Sequence, residues 1–184
     1  MSSARPEPLP WTLPLTRAHR RALSVLPIRY PHAEPADLEV VHVTPDALVA
    51  LRAALARPVP ATGVLFGLRA GGQLTVQGVH VAHPGSTRAF DLDDAYLLGL
   101  ADAWGQAQPG SDWVGGWVTA PDGDGLAPGS PDALARQAAA AGLTDHDAPL
   151  LVAGWMDGHL TLQAVALSFG RVQTFPVTTG SGTP

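Results

Sequence analysis

The chain has no cysteine and no lysine; its eleven basic side chains are all arginine. Without thiols there is no disulfide, no thiolate metal site and no cysteine nucleophile. Without a lysine there is no Schiff-base amine. Charged residues are scarce at 15% and aromatics at 6%, yet hydrophobic residues reach 46%, which describes a globular chain rather than a disordered one. No apolar run approaches the ~18 residues that would cross a bilayer. Residues 1–10 are proline-rich and lack the basic-then-apolar order of a signal peptide, so a cytoplasmic protein is expected. A length of 184 residues suits one domain with a real core.

Alanine, glycine and proline are abundant, and with arginine as the sole base they mark GC-rich coding rather than a function. Charge is unevenly spread. The first thirty residues hold Arg5, Arg17, Arg20, Arg21 and Arg29 against Glu7 alone, while the remainder sets six arginines against fifteen acids. Residues 1–36 read as an arm, dense in prolines, in which only 15–26 can form a short helix. A basic arm on an acidic body can dock on a partner, touch nucleic acid, or lie solvated or folded back on its own body. Four net charges make a weak footprint for nucleic acid, and the body is acidic, so a nucleic-acid accessory role ranks last.

The body is expected over 37–177, with a loose tail over 178–184. Residues 38–43 alternate and are β-branched, as a strand is. Thr44-Pro45-Asp46 supplies an N-cap, a proline at the first helical position and an acid in the first turn. Leu48, Leu51, Ala54 and Leu55 keep helical spacing up to Pro58. Strands over 62–68 and 73–83 flank Gly71-Gly72 and form a hairpin. A helix over 93–106 follows, capped by Asp91 or Asp93, and then an apolar strand over 113–119. Ser130-Pro131-Asp132 repeats the cap signature before a third helix that Gly142 ends. Strands over 150–156 and 160–167 turn through Asp157-Gly158, and 169–177 adds a last strand. Helices mixed with hairpins argue for a mixed α/β sheet rather than a parallel one.

Four segments in this order resemble the JAB/MPN (Mov34, JAMM) domain: Val40 to Leu48, Gly63-Val64-Leu65-Phe66-Gly67, Phe90-Asp91-Leu92, and Val114-Gly115-Gly116-Trp117 followed by Pro121 and Ser130-Pro131-Asp132. The resemblance covers about residues 37–168 and implies a three-layer fold of the MPN/cytidine-deaminase kind, a mixed sheet with flanking helices. Active members of that family hold zinc with two histidines and an aspartate, use a glutamate as base and a serine toward the oxyanion; three protein ligands and an open position make a catalytic zinc. Carried over position by position, the base falls on Pro60 and the histidines on Val118 and Ala120 around Thr119, before Pro121. The serine falls at Gly129 or Ser130, and the aspartate on Asp132. Both imidazoles and the base are therefore missing, and no catalytic residue, metal or cofactor is expected. Ser130 and Asp132 also have sufficient structural roles as cap and first-turn acid.

A relocated metal site has few candidate ligands. His80 and His83 are three apart on a strand and face opposite sides. Asp122-Gly123-Asp124 starts like a calcium loop but lacks the further carboxylates. His146 between Asp145 and Asp147 offers a weak cluster in a solvated loop, and His159 is a hairpin residue. Trp113 and Trp117, four apart on one strand, are expected to share a face. The reading is thus a catalytically silent module that binds protein, as a homodimer or paired with a relative. Trp11, Leu13 and Leu15 are its candidate apolar anchors, and Arg17, Arg20 and Arg21 the charged rim. A metal-dependent hydrolase with relocated ligands is the alternative.

Overall fold

The structure, a computed structural model, describes residues 16–23, 38–57, 59–81 and 89–180. Local chemistry sets most element boundaries. Helix α1 (Arg17–Ala22) starts where the Thr16 hydroxyl accepts the His19 amide at 3.3 Å. Strand β1 (Val40–Val43) runs directly into α2 (Pro45–Leu55), capped by Thr44 with Pro45 in the first turn. Strands β2 (Thr62–Ala70) and β3 (Gln73–Val81) form the expected hairpin, with Gly71 at φ 57 in its turn. Asp93 caps α3 (Asp94–Ala107) by accepting the Tyr96 amide at 2.9 Å. Strand β4 (Asp112–Ala120) is followed by a single 3-10 turn (Asp124–Leu126) and α4 (Ser130–Ala140). Strands β5 (Leu150–Met156), β6 (His159–Ser168), β7 (Arg171–Phe175) and β8 (Val177–Thr179) complete the chain. No helix among the described residues is long and apolar enough to cross a membrane.

The class is mixed α/β: an eight-stranded mixed sheet in the order β7-β6-β5-β4-β2-β3-β1-β8, nearly closed, with flanking helices. β1–β3, β1–β8 and β4–β5 are parallel, and the other neighbours antiparallel. Only Pro176 separates β7 from β8. One half of this last strand pairs with β6 and the other with β1, so a single segment joins both borders of the sheet. Proline suits the break, since it brings no amide to a ladder, while its carbonyl still accepts the Val41 amide at 2.9 Å. Thr178 and Thr179, expected in the tail, belong to β8.

Two cores sandwich the sheet. Helix α2 buries Ala47, Leu51 and Leu55 on one face against Val41, Leu65, Leu74, Trp117, Leu151 and Phe175. Helices α1, α3 and α4 cover the other with Ala18, Leu97, Ala101, Ala135 and Ala138 over Phe66, Trp113 and Val152. Trp113 and Trp117 thus lie on opposite faces, not on one as strand periodicity predicts. The β2–β4 register shifts between Leu65 and Phe66, with Leu65 opposite Gly115 and Phe66 opposite Trp113. Val114 is the extra residue of a bulge, and one inserted residue reverses which side every later side chain faces. A second difference lies at α4. Its cap is Gly129 in the left-handed conformation (φ 84), with Ser130 already the first helical residue and no side-chain cap bond.

Glycine is required where this sheet packs closest. A Cβ at Gly63 would strike the His80 carbonyl oxygen and the Trp117 indole, whereas Gly99, in α3, faces open space. Gly63→Ala is expected to destabilise by about 2 kcal/mol or more, as overpacking against backbone does. Gly99→Ala should stabilise by about 0.5–1 kcal/mol through helix propensity. Thermal melts of the two variants check the opposite signs; equal shifts would contradict this packing.

Candidate functional site

One end of the sheet gathers the positions where the JAB/MPN resemblance places catalytic groups. Thr62 pairs with Val118 and Ala120 with Gly154, so β2 begins where β4 and β5 end. Thr119 is buried, and its hydroxyl accepts the Ala61 amide at 2.7 Å while its own amide donates to the Ala61 carbonyl at 2.8 Å. The Thr119 side chain thus ties the approach to β2 onto β4. Val118 and Ala120 are 5% and 6% exposed. The 3-10 turn lies against Ala120: a Cβ at Gly125 would come 2.6 Å from the Ala120 Cβ, and one at Gly154 would come 2.8 Å from Leu126 Cδ1. Leu126 itself is buried. Side chains without lone pairs, packed under an apolar turn, offer an ion neither donors nor room. Pro60 is exposed just before β2, and Pro121 follows β4 half-buried. Ser130 spends its amide on the Ala127 carbonyl at 3.0 Å, and Asp132 is exposed in the first turn of α4, where its charge favours the helix dipole.

Among the described residues, the relocated-ligand candidates His80, Asp122, Asp124 and Asp132 form no metal-binding cluster. Asp122 and Asp124 are exposed, and the Asp122 carboxylate accepts the Asp124 amide at 3.2 Å, a local turn. His83 lies outside the described residues. Asp145, His146 and Asp147 do bring ligand atoms within 4.8 Å of one another. Their carboxylates are already committed: Asp145 to Arg17 and to the amides of Asp147 and Ala148, Asp147 to Arg69 at 3.4 Å and His146 at 3.1 Å. A cation there would have to displace two guanidinium groups.

The six partner-contact candidates divide. Trp11, Leu13 and Leu15 lie outside the described residues. Arg17, Arg20 and Arg21 sit on α1, which packs on α3 and β4. Arg17 is 7% exposed, pairs with Asp145 and stacks over Trp113 at 5.1 Å. Arg21 reaches Asp94 at 2.7 Å and the Gly142 carbonyl at 3.0 Å, and Arg20 stands 3.9 Å from Asp112. These arginines meet the acids of their own body rather than forming an outward rim; of the fates open to a basic arm, this stretch takes the self-docked one.

No family model and no curated protein matches the chain. Among solved structures it is similar to protein DSY2949 of Desulfitobacterium hafniense, with 14% identity and a TM-score of 0.56 over 77% of this chain and 94% of that one. At that identity the likeness shows the fold alone.

Sequence reasoning missed one feature of this end of the sheet. Trp155 and Met156 close β5 at 39% and 44% exposure, and Val59 is 68% exposed ahead of β2. With Pro60 and Pro121 they make an apolar rim beyond three neighbouring strands, β5, β4 and β2. The signal was Trp155-Met156 placed immediately before Asp157-Gly158. That pair turns with φ 51 and 75, so the strand ends there and leaves both large side chains at the tip.

The fold also moves the proton affinity of His80. Its ring sits 5.2 Å from Trp104 and 5.8 Å from Phe66, and burial pushes its pKa below 6.5. A depressed histidine pKa means that the unfolded chain takes the proton first. This contribution to stability is therefore complete above pH 6.5 and is lost as pH falls from 6.5 to the folded-state value. His80→Phe should remove that part of the slope between about pH 7.5 and 5.5. Denaturant midpoints at both pH values check it, and an unchanged slope would count against the burial.

Proposed function

We propose that the chain is a catalytically silent relative of the JAB/MPN domains, with its body over about 37–177, that acts in the cytoplasm by binding protein, as a dimer with itself or with a related subunit. The observation that carries this reading is the end of β4. Val118 and Ala120, which the resemblance sets at the two imidazole positions, are buried apolar side chains, and Pro60 falls where it sets the base. Hydrolysis of the zinc kind needs three ligands and an activated water, and these side chains supply no donor.

Binding is supported by what surrounds the silent positions. Trp155, Met156, Val59, Pro60 and Pro121 expose apolar surface on one end of the sheet, next to a rigid ladder. Tryptophan and methionine are enriched at protein interfaces because they bury much area with few charged atoms to desolvate. Both the family arrangement and the dimer belong to this proposal.

Two measurements test it. Elemental mass spectrometry of protein purified without chelator should find near-zero zinc per chain. About one zinc per chain that survives dialysis would overturn the reading and give first place to a metal-dependent hydrolase. Light scattering over a concentration series should show a dimer, weakened about tenfold or more by Trp155→Glu, as for an interface anchor worth about 2 kcal/mol. A strict monomer at high concentration would remove the homodimer version.

A further inference from the structure

Opposite the Trp155 end, at the start of β4, the body carries a second concentration of recognition chemistry, and here an occupant is in place. Asp94 and Asp102 on α3, Asp112 at the head of β4 and Asp145 between α4 and β5 surround the six residues of α1. Each basic side chain of the helix meets one of them: Arg17 meets Asp145, His19 meets Asp102 at 3.6 Å, Arg20 meets Asp112 and Arg21 meets Asp94. Both oxygens of Asp112 also accept the Arg17 amide, at 2.9 and 3.1 Å. Trp113, 2% exposed, lies under the Arg17 guanidinium. An aromatic face and a carboxylate on one guanidinium select arginine over lysine, since only the planar group satisfies both.

We infer that this cradle is a binding site for a basic helical segment of a partner protein, of the pattern Arg-x-x-Arg-Arg, and that the chain's own α1 is its displaceable occupant. The inference goes beyond the function proposed above and does not rest on it: the surface, the chemistry and the partner contact are different. Helix α1 is too short to hold its shape alone, since isolated helices below about 12 residues are marginal in water. Its apolar burial is little more than Ala18. Apart from Arg17, its ion pairs are 24–56% exposed, and pairs of that kind contribute about 0–1 kcal/mol each. Release of α1 therefore costs far less than unfolding the sheet. Fourteen positions, 24–37, separate α1 from Leu38 in the sequence. Departure of α1 uncovers the Trp113 face and takes from Asp145 and Asp112 their guanidinium partners, leaving only local amides, which favours refilling by another arginine-bearing helix.

The test uses the full chain carrying R17A and R21A, and as probe a labelled, capped peptide with the sequence of residues 16–23, followed by fluorescence anisotropy. Saturable binding is expected to the opened chain, about tenfold or more weaker to the wild type, whose own α1 competes. Adding D145N to the opened chain should cost a further tenfold or more, and a peptide with lysine for arginine should bind more weakly. No saturable binding up to about 1 mM, or binding indifferent to D145N, overturns the inference. Should the opened variant lose its sheet signal, hydrogen exchange of the wild type decides. The α1 amides should exchange well ahead of β4 and faster in high salt, and exchange only with global unfolding overturns displaceability. A wild-type dimer that R17A converts to monomer would assign the cradle to a second copy's α1 and overturn the partner version.

Discussion

Strand β4 carries more of this molecule than any other element, because it is buried on both faces. It lies fourth in a sheet of eight, with α2 packed on one side and α1, α3 and α4 around the other. A strand in that position must supply large apolar groups to both cores and still let its neighbours approach. Gly115 and Gly116 do the second: Cβ atoms there would meet the Pro149 carbonyl oxygen at 2.5 Å and Leu143 at 2.7 Å. The tryptophans do the first. Trp113 fills the three-helix side and donates to the Gly115 carbonyl at 2.8 Å, and Trp117 fills the α2 side and donates to the His80 carbonyl at 2.9 Å. Each buried indole thus satisfies its N–H while anchoring backbone. The bulge at Val114 is what lets two residues four apart serve opposite cores.

That arrangement also determines what the two ends of the strand can do. At its head, Asp112 stays half-buried and polar, so it can grip a main-chain amide and a guanidinium together. At its tail, Val118 and Ala120 continue the apolar packing until the chain leaves at Pro121. A metal site at the tail would need polar side chains where the sheet instead seals itself with Leu126. Apolar packing suits this end, since donors facing a buried turn would carry a desolvation cost without a partner.

Elements set by local chemistry were legible in the sequence. Thr44-Pro45-Asp46, Asp93 and the turns at Gly71 and Asp157-Gly158 act through groups one to four residues away, and they sit where capping and turn rules place them. The mixed α/β class followed from the order of such elements. What stayed hidden depends on distant partners. The Val114 bulge lies in the way β2 pairs with β4, and an isolated strand pattern holds no trace of that pairing. The docking of α1 joins Arg17 to Asp145 across 128 positions, and a list of charges cannot pair them. At Ser130 local preference was overruled by one residue, because glycine reaches the left-handed conformation that the turn after Leu126 requires.

The segregation of charge acquires a structural meaning once the cradle is seen. A basic beginning and an acidic remainder can read as an outward electrostatic tail. In the fold the arginines of α1 neutralise acids drawn from α3, β4 and the loop before β5, segments that share no local chain contact. The helix therefore ties together acids from three segments of the three-helix face. Because ion pairs rather than buried apolar area do the clamping, its strength depends on salt in a way that the two apolar cores do not. The molecule thus couples a rigid, doubly buried sheet to one lightly held cover. In such an arrangement a partner of the kind inferred above would act on the cover and leave the sheet as it is.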